Sequence, residues 1–419
     1  MKAKSITISG YKGFASPQTI TLDPSLTILF GENGSGKSSL LAALATALSW
    51  LPARIRSTKT TGQTIGIQDI HNTRNSAHIT ITCTYQGEEI SWTLGRTKPG
   101  YPSKSTSDFL ALNSLAQSFQ TKIQETHERC TLPLISYYSV LRNCNQTIPR
   151  APAPLESTLL SITESKQLWD AKFRYFYEWF RQKDHEELQD RETKGQTYTD
   201  PTLQAVKKAI YHFLPGFSHM RFSAKHPQGI IIDKKGHGTL HFDQLSGGEQ
   251  SMVAMVGDIA RKLTLANPDS DDPLQGNGIM LIDEIDLHLH PSWQQSMIPR
   301  LKAAFPNCQF ILTTHSPSII TQAKPGQIIY LTDEGGDISV NQSIDSYGKD
   351  VESIYQDYLG INSIRPNAIE DKIQTLYELL ETDLDKAQEE LNALQDVISG
   401  DTELVKLQLL IDRKRVLRG

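Results

Sequence analysis

Residues 26–48 read as strand, tight loop and helix in immediate succession, and few folds can accommodate that order. Leu26-Thr27-Ile28-Leu29-Phe30 is a short apolar, β-branched run with the pattern of a buried strand. It leads directly into Gly31-Glu32-Asn33-Gly34-Ser35-Gly36-Lys37-Ser38, which satisfies G-x-x-x-x-G-K-[ST] at every fixed position. Glycines let consecutive backbone N–H groups curl around a phosphate, while the following helix presents its electropositive N-terminus. Ser39 opens a Leu- and Ala-rich, helix-prone run to residue 48, so the motif has its structural context. A Gly/Ser linker would lack such apolar flanks. In this reading residues 31–39 cradle a nucleotide, Lys37 reaches its β- and γ-phosphates, and Ser38 ligates Mg²⁺.

Two later apolar runs end in polar residues suited to the same chemistry. Gly278-Ile279-Met280-Leu281-Ile282 is followed by Asp283-Glu284, where Asp283 would hold Mg²⁺ through water and Glu284 would polarise an attacking water. Phe310-Ile311-Leu312-Thr313-Thr314 is followed by His315, a candidate γ-phosphate sensor at the end of a parallel strand. Alone, an Asp-Glu pair after a strand is an ordinary solvated strand end. It gains meaning from its order after the phosphate loop and after Leu245-Ser246-Gly247-Gly248-Glu249-Gln250.

The octet, the LSGGEQ hexapeptide, residues 283–291 (DEIDLHLHP) and residues 314–317 (THSP) together resemble the ABC-type ATPase superfamily. The resemblance covers residues 4–85 and 242–332. It implies binding of ATP and Mg²⁺, with hydrolysis through Glu284 and His315. It also implies that the signature Leu245, Ser246, Gly247, Gly248, Glu249 and Gln250 contacts the γ-phosphate held by a second protomer, with a helix over 251–263. Asp286 matches the D-loop position that crosses such a dimer interface. The chain opens with the alternating run 5–14 and reaches its phosphate loop within forty residues, which resembles the RecF, SMC and overcoming-lysogenization-defect group more than a transporter subunit.

Residues 39–244 separate the phosphate loop from the signature, a longer span than a transporter nucleotide domain needs, so a segment is inserted. No stretch keeps heptads for three or four repeats, which excludes a long coiled coil. Residues 78–85 and 89–94 alternate as two strands around a Gln86-Gly87 turn, and 132–138 is strand-like. A Pro-rich stretch, 148–155, precedes helices expected over 166–194 and 201–213. In the first helix Phe173, Phe176, Tyr177 and Phe180 recur at helical spacing, the mark of a packed face.

Tyr137, Tyr138 and Arg142, with the aromatic-then-acidic stretch 176–187, are similar to the lids of Septu-type anti-phage ATPases, the PtuA subunits. That resemblance implies a homodimer through ATP-sandwiched heads, open to higher oligomers, and a separate HNH nuclease subunit (PtuB-like). DNA would be engaged through the complex, and retron components accompany some members. The alternatives are a RecF-like repair or replication ATPase that binds DNA directly, a transporter nucleotide-binding subunit, and a scaffold that binds nucleotide without turnover.

The expected fold is α/β: an ABC-type P-loop ATPase head, a mixed or parallel sheet flanked by helices, with an inserted β/helical lid and a C-terminal helical extension. Its expected parts are an N-terminal ATPase lobe (1–95), the lid (96–240), a C-terminal lobe with signature, Walker B and His switch (241–345), and a tail (346–419) for partner docking or oligomerisation. In the tail, amphipathic helices are expected over 367–398 and 402–417. Residues 316–419 are too few for the Toprim domain of overcoming-lysogenization-defect nucleases, so no intrinsic nuclease domain is expected. Asp333-Glu334-Gly335-Gly336-Asp337 reads as a hairpin tip and not a metal cluster. His288 and His290 belong to the D-loop pattern and not to zinc, and Gln63 and Gln68 both remain open for the Q-loop.

Composition narrows the setting. Lys+Arg 42 against Asp+Glu 47 gives a net charge of −5, so no global basic field draws the chain to DNA. Local candidates are Arg54, Arg56, Lys59, Lys207, Lys208, Lys234, Lys235 and the basic end at Arg413, Lys414, Arg415 and Arg418. The four cysteines form no C-x-x-C pair. No signal core stands at the N-terminus and the apolar run 40–51 is short, so a cytoplasmic protein without a membrane partner is expected.

Overall fold

The computed structural model describes residues 1–102, 107–126, 130–139, 169–287, 289–360 and 365–418, with backbone alone for 169–175 and 417–418. Arg142, the Pro-rich stretch 148–155, Cys144, His288 and the side chains of Phe173 and Arg418 lie outside the described residues. The chain divides into two compact units, Met1–Gly348 and Lys349–Gly419.

In the first unit the early strands are β1 (Lys2–Ser9), β2 (Gln18–Thr21), β3 (Leu26–Gly31), β4 (Ser76–Tyr85) and β5 (Glu88–Thr97). Then come β6 (Leu134–Tyr138) and the meander β7 (Phe217–Ser223), β8 (Gly229–Lys234) and β9 (Gly238–His241). The later strands are β10 (Gly278–Ile282), β11 (Cys308–Thr313), β12 (Ile328–Asp333) and β13 (Ile338–Asn341). They form three sheets, ordered β2-β1-β4-β5, β13-β12-β3-β11-β10-β6 and β7-β8-β9.

The six-stranded sheet is the core. Its strands β12, β3, β11, β10 and β6 run parallel and only β13 is antiparallel, at the edge. Every residue of β3, β10 and β11 is buried, as expected for parallel strands covered on both faces. The C-terminal ends of β3, β10, β11 and β6 therefore lie side by side, carrying Gly31, Asp283, Thr313 and Tyr138 to one rim. In open parallel sheets ligands sit beyond that rim.

The antiparallel sheet closes over the helix Lys37–Leu48. Alternate residues of β4, namely Ala77, Ile79, Ile81 and Cys83, are buried. Trp92 on β5 donates from Nε1 to Ala47 O at 2.9 Å. The expected turn is present: Gln86 and Gly87 both have positive φ, 52° and 87°, as a two-residue hairpin loop requires. The helices Lys37–Leu48 and Trp50–Arg56 together are long and apolar enough to cross a membrane by length and composition, but 78% of that stretch is buried inside the protein.

The insert differs from its expected outline. Residues 132–138 fall within the expected lid (96–240), yet β6 pairs with β10 in the main sheet, Leu134 opposite Gly278 through Tyr138 opposite Ile282. Its strand-like composition suits either place, and only long-range pairing decides. The helices expected over 166–194 and 201–213 are Trp169–Lys194 and Pro201–Phe213. Phe176 and Phe180 are fully buried, and a Cβ on Gly257 would sit 2.5 Å from the Phe176 ring. Phe176 and Phe180 are thus core while Tyr177 is half-buried, and Gly257 is what permits the close approach of Phe176 to the helix Gly247–Ala266.

In the second unit the stretch expected as one helix over 367–398 is two, Asn367–Thr382 and Leu384–Gln395. Asp383 separates them because its carboxylate accepts from the N–H groups of Asp385 and Lys386, capping a new helix. With Thr402–Arg418 these helices enclose their own core, including Ile373, Leu376, Leu391, Leu407 and Ile411.

Candidate nucleotide site

The phosphate loop gets its shape from glycine. Gly31, Gly34 and Gly36 have φ of 149°, 83° and 92°. A Cβ on Gly36 would lie 2.1 Å from Ile338 Cδ1, so β13 presses directly beneath the loop. Gly36 caps the helix Lys37–Leu48 without any side-chain bond, which leaves the first N–H groups of that helix for an anion. Lys37 is 5% exposed and folds back, donating to Gly31 O at 2.9 Å and Glu32 O at 2.6 Å. Burial pushes its pKa down to about 8, against the pull of Asp283, Glu284, Asp286 and Glu32. Glu32, Asn33, Gly34 and Ser38 face solvent, Ser35 is buried, and Ser39 is half-buried.

The Walker B residues converge on this loop. Ser38 Oγ donates to Asp283 Oδ1 at 3.0 Å, joining the two candidate Mg²⁺ ligands across the sheet. A hydroxyl beside a carboxylate offers hard oxygen donors, a set that suits Mg²⁺ shared with nucleotide phosphates. Among the described residues no group of three or more His, Cys, Asp or Glu could hold a metal ion. Glu284 is half-buried beside Asp283 with φ of 46°. His315, also half-buried, has its pKa lowered by burial and by the Lys37 charge, so its imidazole is neutral at pH 7. A neutral ring can donate one hydrogen bond to a terminal phosphate oxygen.

The signature begins the helix Gly247–Ala266, four residues earlier than expected at 251. Ser246 is its N-cap in a reciprocal box: Glu249 N donates to Ser246 Oγ at 3.4 Å and Ser246 N to Glu249 Oε2 at 3.0 Å. Lys234 on β8 pairs with Glu249 Oε1 at 2.7 Å. Burial alone would raise the Glu249 carboxyl, but hydrogen bonds from Lys234 and Ser246 hold it below the usual range. Gln250 Nε2 donates to Phe242 O and Leu245 O, while Leu245 is buried as an anchor. These bonds leave Ser246 and Gly247 exposed, and a Cβ on Gly247 would meet nothing within 4 Å. Gly248 is buried behind them.

Hydrogen bonds within and beyond the motifs hold the site together. Asp286 Oδ1 accepts from Thr314 Oγ1 at 2.6 Å, and Asp283 N donates to Tyr138 O at 2.8 Å. Thr313 reaches both Walker B acids, a role that only the register of β11 against β10 reveals. His290 caps the helix Pro291–Ala304 through Ser292 N. Gln63 is fixed through its backbone, its N–H donating to Ser49 Oγ and its carbonyl accepting from Trp50 Nε1. Gln68 sits exposed in the turn Ile67–Asp69. Several of the basic candidates have internal partners: Arg54 lies over the Trp50 ring, Lys207 pairs with Asp184, Lys414 with Glu381 and Arg415 with Asp385. Lys208 and Lys235 are exposed.

The chain matches the RecF/RecN/SMC N-terminal domain over residues 2–337. It is 33% identical over 384 residues to the retron Ec83 probable ATPase of Escherichia coli, covering 76% of this chain and 69% of that protein. It is 31% identical over 202 residues to the Septu protein PtuA of Bacillus thuringiensis, covering 45% of this chain and 51% of that protein. In fold it is similar to an SMC head crystallised with the C-terminal winged-helix domain of ScpA, with a TM-score of 0.50, 17% identity, and 82% of this chain and 98% of that one covered. The chain belongs to the RecF/RecN/SMC family, as an ABC-type ATPase near the retron ATPases and PtuA.

Proposed function

We propose that two copies of this chain close over ATP, each supplying its phosphate loop to one nucleotide and its signature to the other, and that this ATP-dependent dimer controls a separate nuclease. The observation that carries the reading is the exposed pole of the helix Gly247–Ala266. Ser246 and Gly247 are exposed, with open space around Gly247, at a helix N-terminus that favours an anion. Lys37, Ser38 and Asp283 hold ATP and Mg²⁺ in this reading. Glu284 directs the water, neutral His315 senses the γ-phosphate, and Asp286 crosses the interface.

Similarity to PtuA and to retron ATPases supports an anti-phage role, with an HNH nuclease subunit of the PtuB kind as the partner that acts on DNA. The second unit, Lys349–Gly419, is the part we assign to partner docking or to oligomers beyond the dimer. The test is Glu284→Gln. The variant is expected to bind ATP, hydrolyse it at least 100-fold more slowly, and accumulate as a dimer with ATP. Hydrolysis at the wild-type rate would remove Glu284 from the mechanism.

A further inference from the structure

Beyond Ile282 the backbone of the Walker B strand turns sharply, and its next three N–H groups each need an acceptor. Asp283 N donates to Tyr138 O at 2.8 Å and Ile285 N to Thr313 O at 3.0 Å, so the two flanking strands satisfy the first and third. The middle group, Glu284 N, takes a side chain instead: it donates to Thr313 Oγ1 at 2.6 Å. The single proton of that hydroxyl goes to Asp283 Oδ1, also at 2.6 Å. One hydroxyl therefore acts as acceptor for the backbone of Glu284 and donor to the carboxylate of Asp283.

Two further observations show how specific this bridge is. Glu284 has φ of 46°, in the left-handed region that residues other than glycine rarely adopt, so its conformation must be imposed by neighbours. Thr313 itself is completely buried, directly after the apolar run Phe310-Ile311-Leu312, where valine would fill nearly the same volume. Packing alone gives no reason for a hydroxyl at that position. Asp283 Oδ1 also accepts from Ser38 Oγ, so the hydroxyl acts on the carboxylate that faces the metal position. The adjacent Thr314 points to a different residue, its Oγ1 donating to Asp286.

We infer that Thr313 is a positioning residue for ATP hydrolysis, whose hydroxyl fixes the Asp283 carboxylate and the left-handed backbone of Glu284 together. The inference rests on the proposed roles of Asp283 and Glu284. It assigns to β11 a function distinct from that of His315 two residues later. Misplacing a catalytic group by about an ångström can cost about 100-fold in rate, whereas the nucleotide itself is held by Lys37 and the loop amides.

The test compares the purified full chain with Thr313→Val and Thr313→Ser in steady-state ATPase assays across ATP and Mg²⁺ concentration. Thr313→Val is expected to lower kcat about 10- to 100-fold with KM for ATP within about threefold, and to raise the Mg²⁺ concentration for half-maximal rate. Thr313→Ser keeps the hydroxyl and is expected to stay within about threefold of wild-type kcat. The valine variant leaves Glu284 N without its acceptor and is expected to unfold at a lower temperature than the wild type; a cooperative transition well above the assay temperature separates lost positioning from lost folding. Wild-type kcat in Thr313→Val would overturn the inference. So would a serine variant as impaired as the valine variant when both fold normally. Glu284→Gln run alongside keeps the two ideas apart: an unimpaired Glu284→Gln rejects the underlying assignment, whereas an impaired Glu284→Gln with a normal Thr313→Val rejects only the bridge.

Discussion

Tyr138 on β6 and Asp258 on the signature helix meet through a 2.9 Å hydrogen bond, phenol to carboxylate, with both residues buried. Asp258 also pairs with Arg261 at 2.9 Å and Lys262 at 2.8 Å. Because Tyr138 O accepts from Asp283 N, one tyrosine connects the Walker B acid to the helix whose far end carries the signature.

Removing Asp258 leaves two buried cations without that shared carboxylate. Asp258→Ala is expected to cost about 3–5 kcal/mol of stability, as for other broken buried pairs. Tyr138→Phe, which removes the hydrogen bond to Asp258 and keeps the ring, should cost about 1–2 kcal/mol. Urea unfolding of both variants checks the order, and equal losses would contradict it.

The two halves of the site should respond differently to small glycine changes. Gly36→Ala strains a φ of 92° and drives a Cβ to 2.1 Å from Ile338, so both nucleotide binding and thermal stability are expected to fall. Gly247→Asp points into open space at a helix N-terminus, where a negative charge is tolerated. Its Tm is expected to stay near wild type while ATP-dependent dimerisation is lost through repulsion of the partner's phosphate. Loss of folding in Gly247→Asp would show that the position is packed.

Lys37 gives the site a pH dependence of definite sign. With its folded-state pKa near 8, the lysine is already cationic below that pH and nucleotide binding should be flat. Above pH 8 binding must recruit a proton, so Kd for ATP is expected to rise up to about tenfold per pH unit. In the nucleotide-free protein the penalty for keeping the buried cation is fully present below pH 8. It is relieved as pH rises towards 10.5, the value without burial, so this group's contribution to stability increases over that range. Calorimetric titration between pH 7 and 9.5 reads the binding term directly.

Much of the site could be read in one dimension because its parts are contiguous. The phosphate loop, the signature and Asp283-Glu284 each combine a strand or helix end with residues whose chemistry is set by local backbone. What depended on long-range pairing was hidden. Residues 132–138 are strand-like in composition, and nothing local says that they lie beside β10. Thr313 and Thr314 look like ordinary β-branched strand residues until the register of β11 sets one hydroxyl on Asp283 and the other on Asp286. Asp258, Arg261 and Lys262 have the spacing of surface ion pairs along a helix, yet all three are buried under β6. In the second unit, Asp383 looked like one more polar residue on a long helix, and its capping role emerged only from its side-chain bonds.

Subunit complementation tests the shared site most directly. Lys37→Ala removes the phosphate-loop cation, and Ser246→Arg obstructs the exposed pole of the signature helix, so each purified chain alone is expected to be inactive. A dimer of one Lys37→Ala and one Ser246→Arg chain contains one site with both defects and one with neither. In an equal mixture half the dimers are of this kind, so ATPase activity is expected to recover to about a quarter of the wild type. Full activity of Ser246→Arg by itself would contradict the account, because a signature that serves only its own chain's fold cannot be completing a neighbour's ATP site.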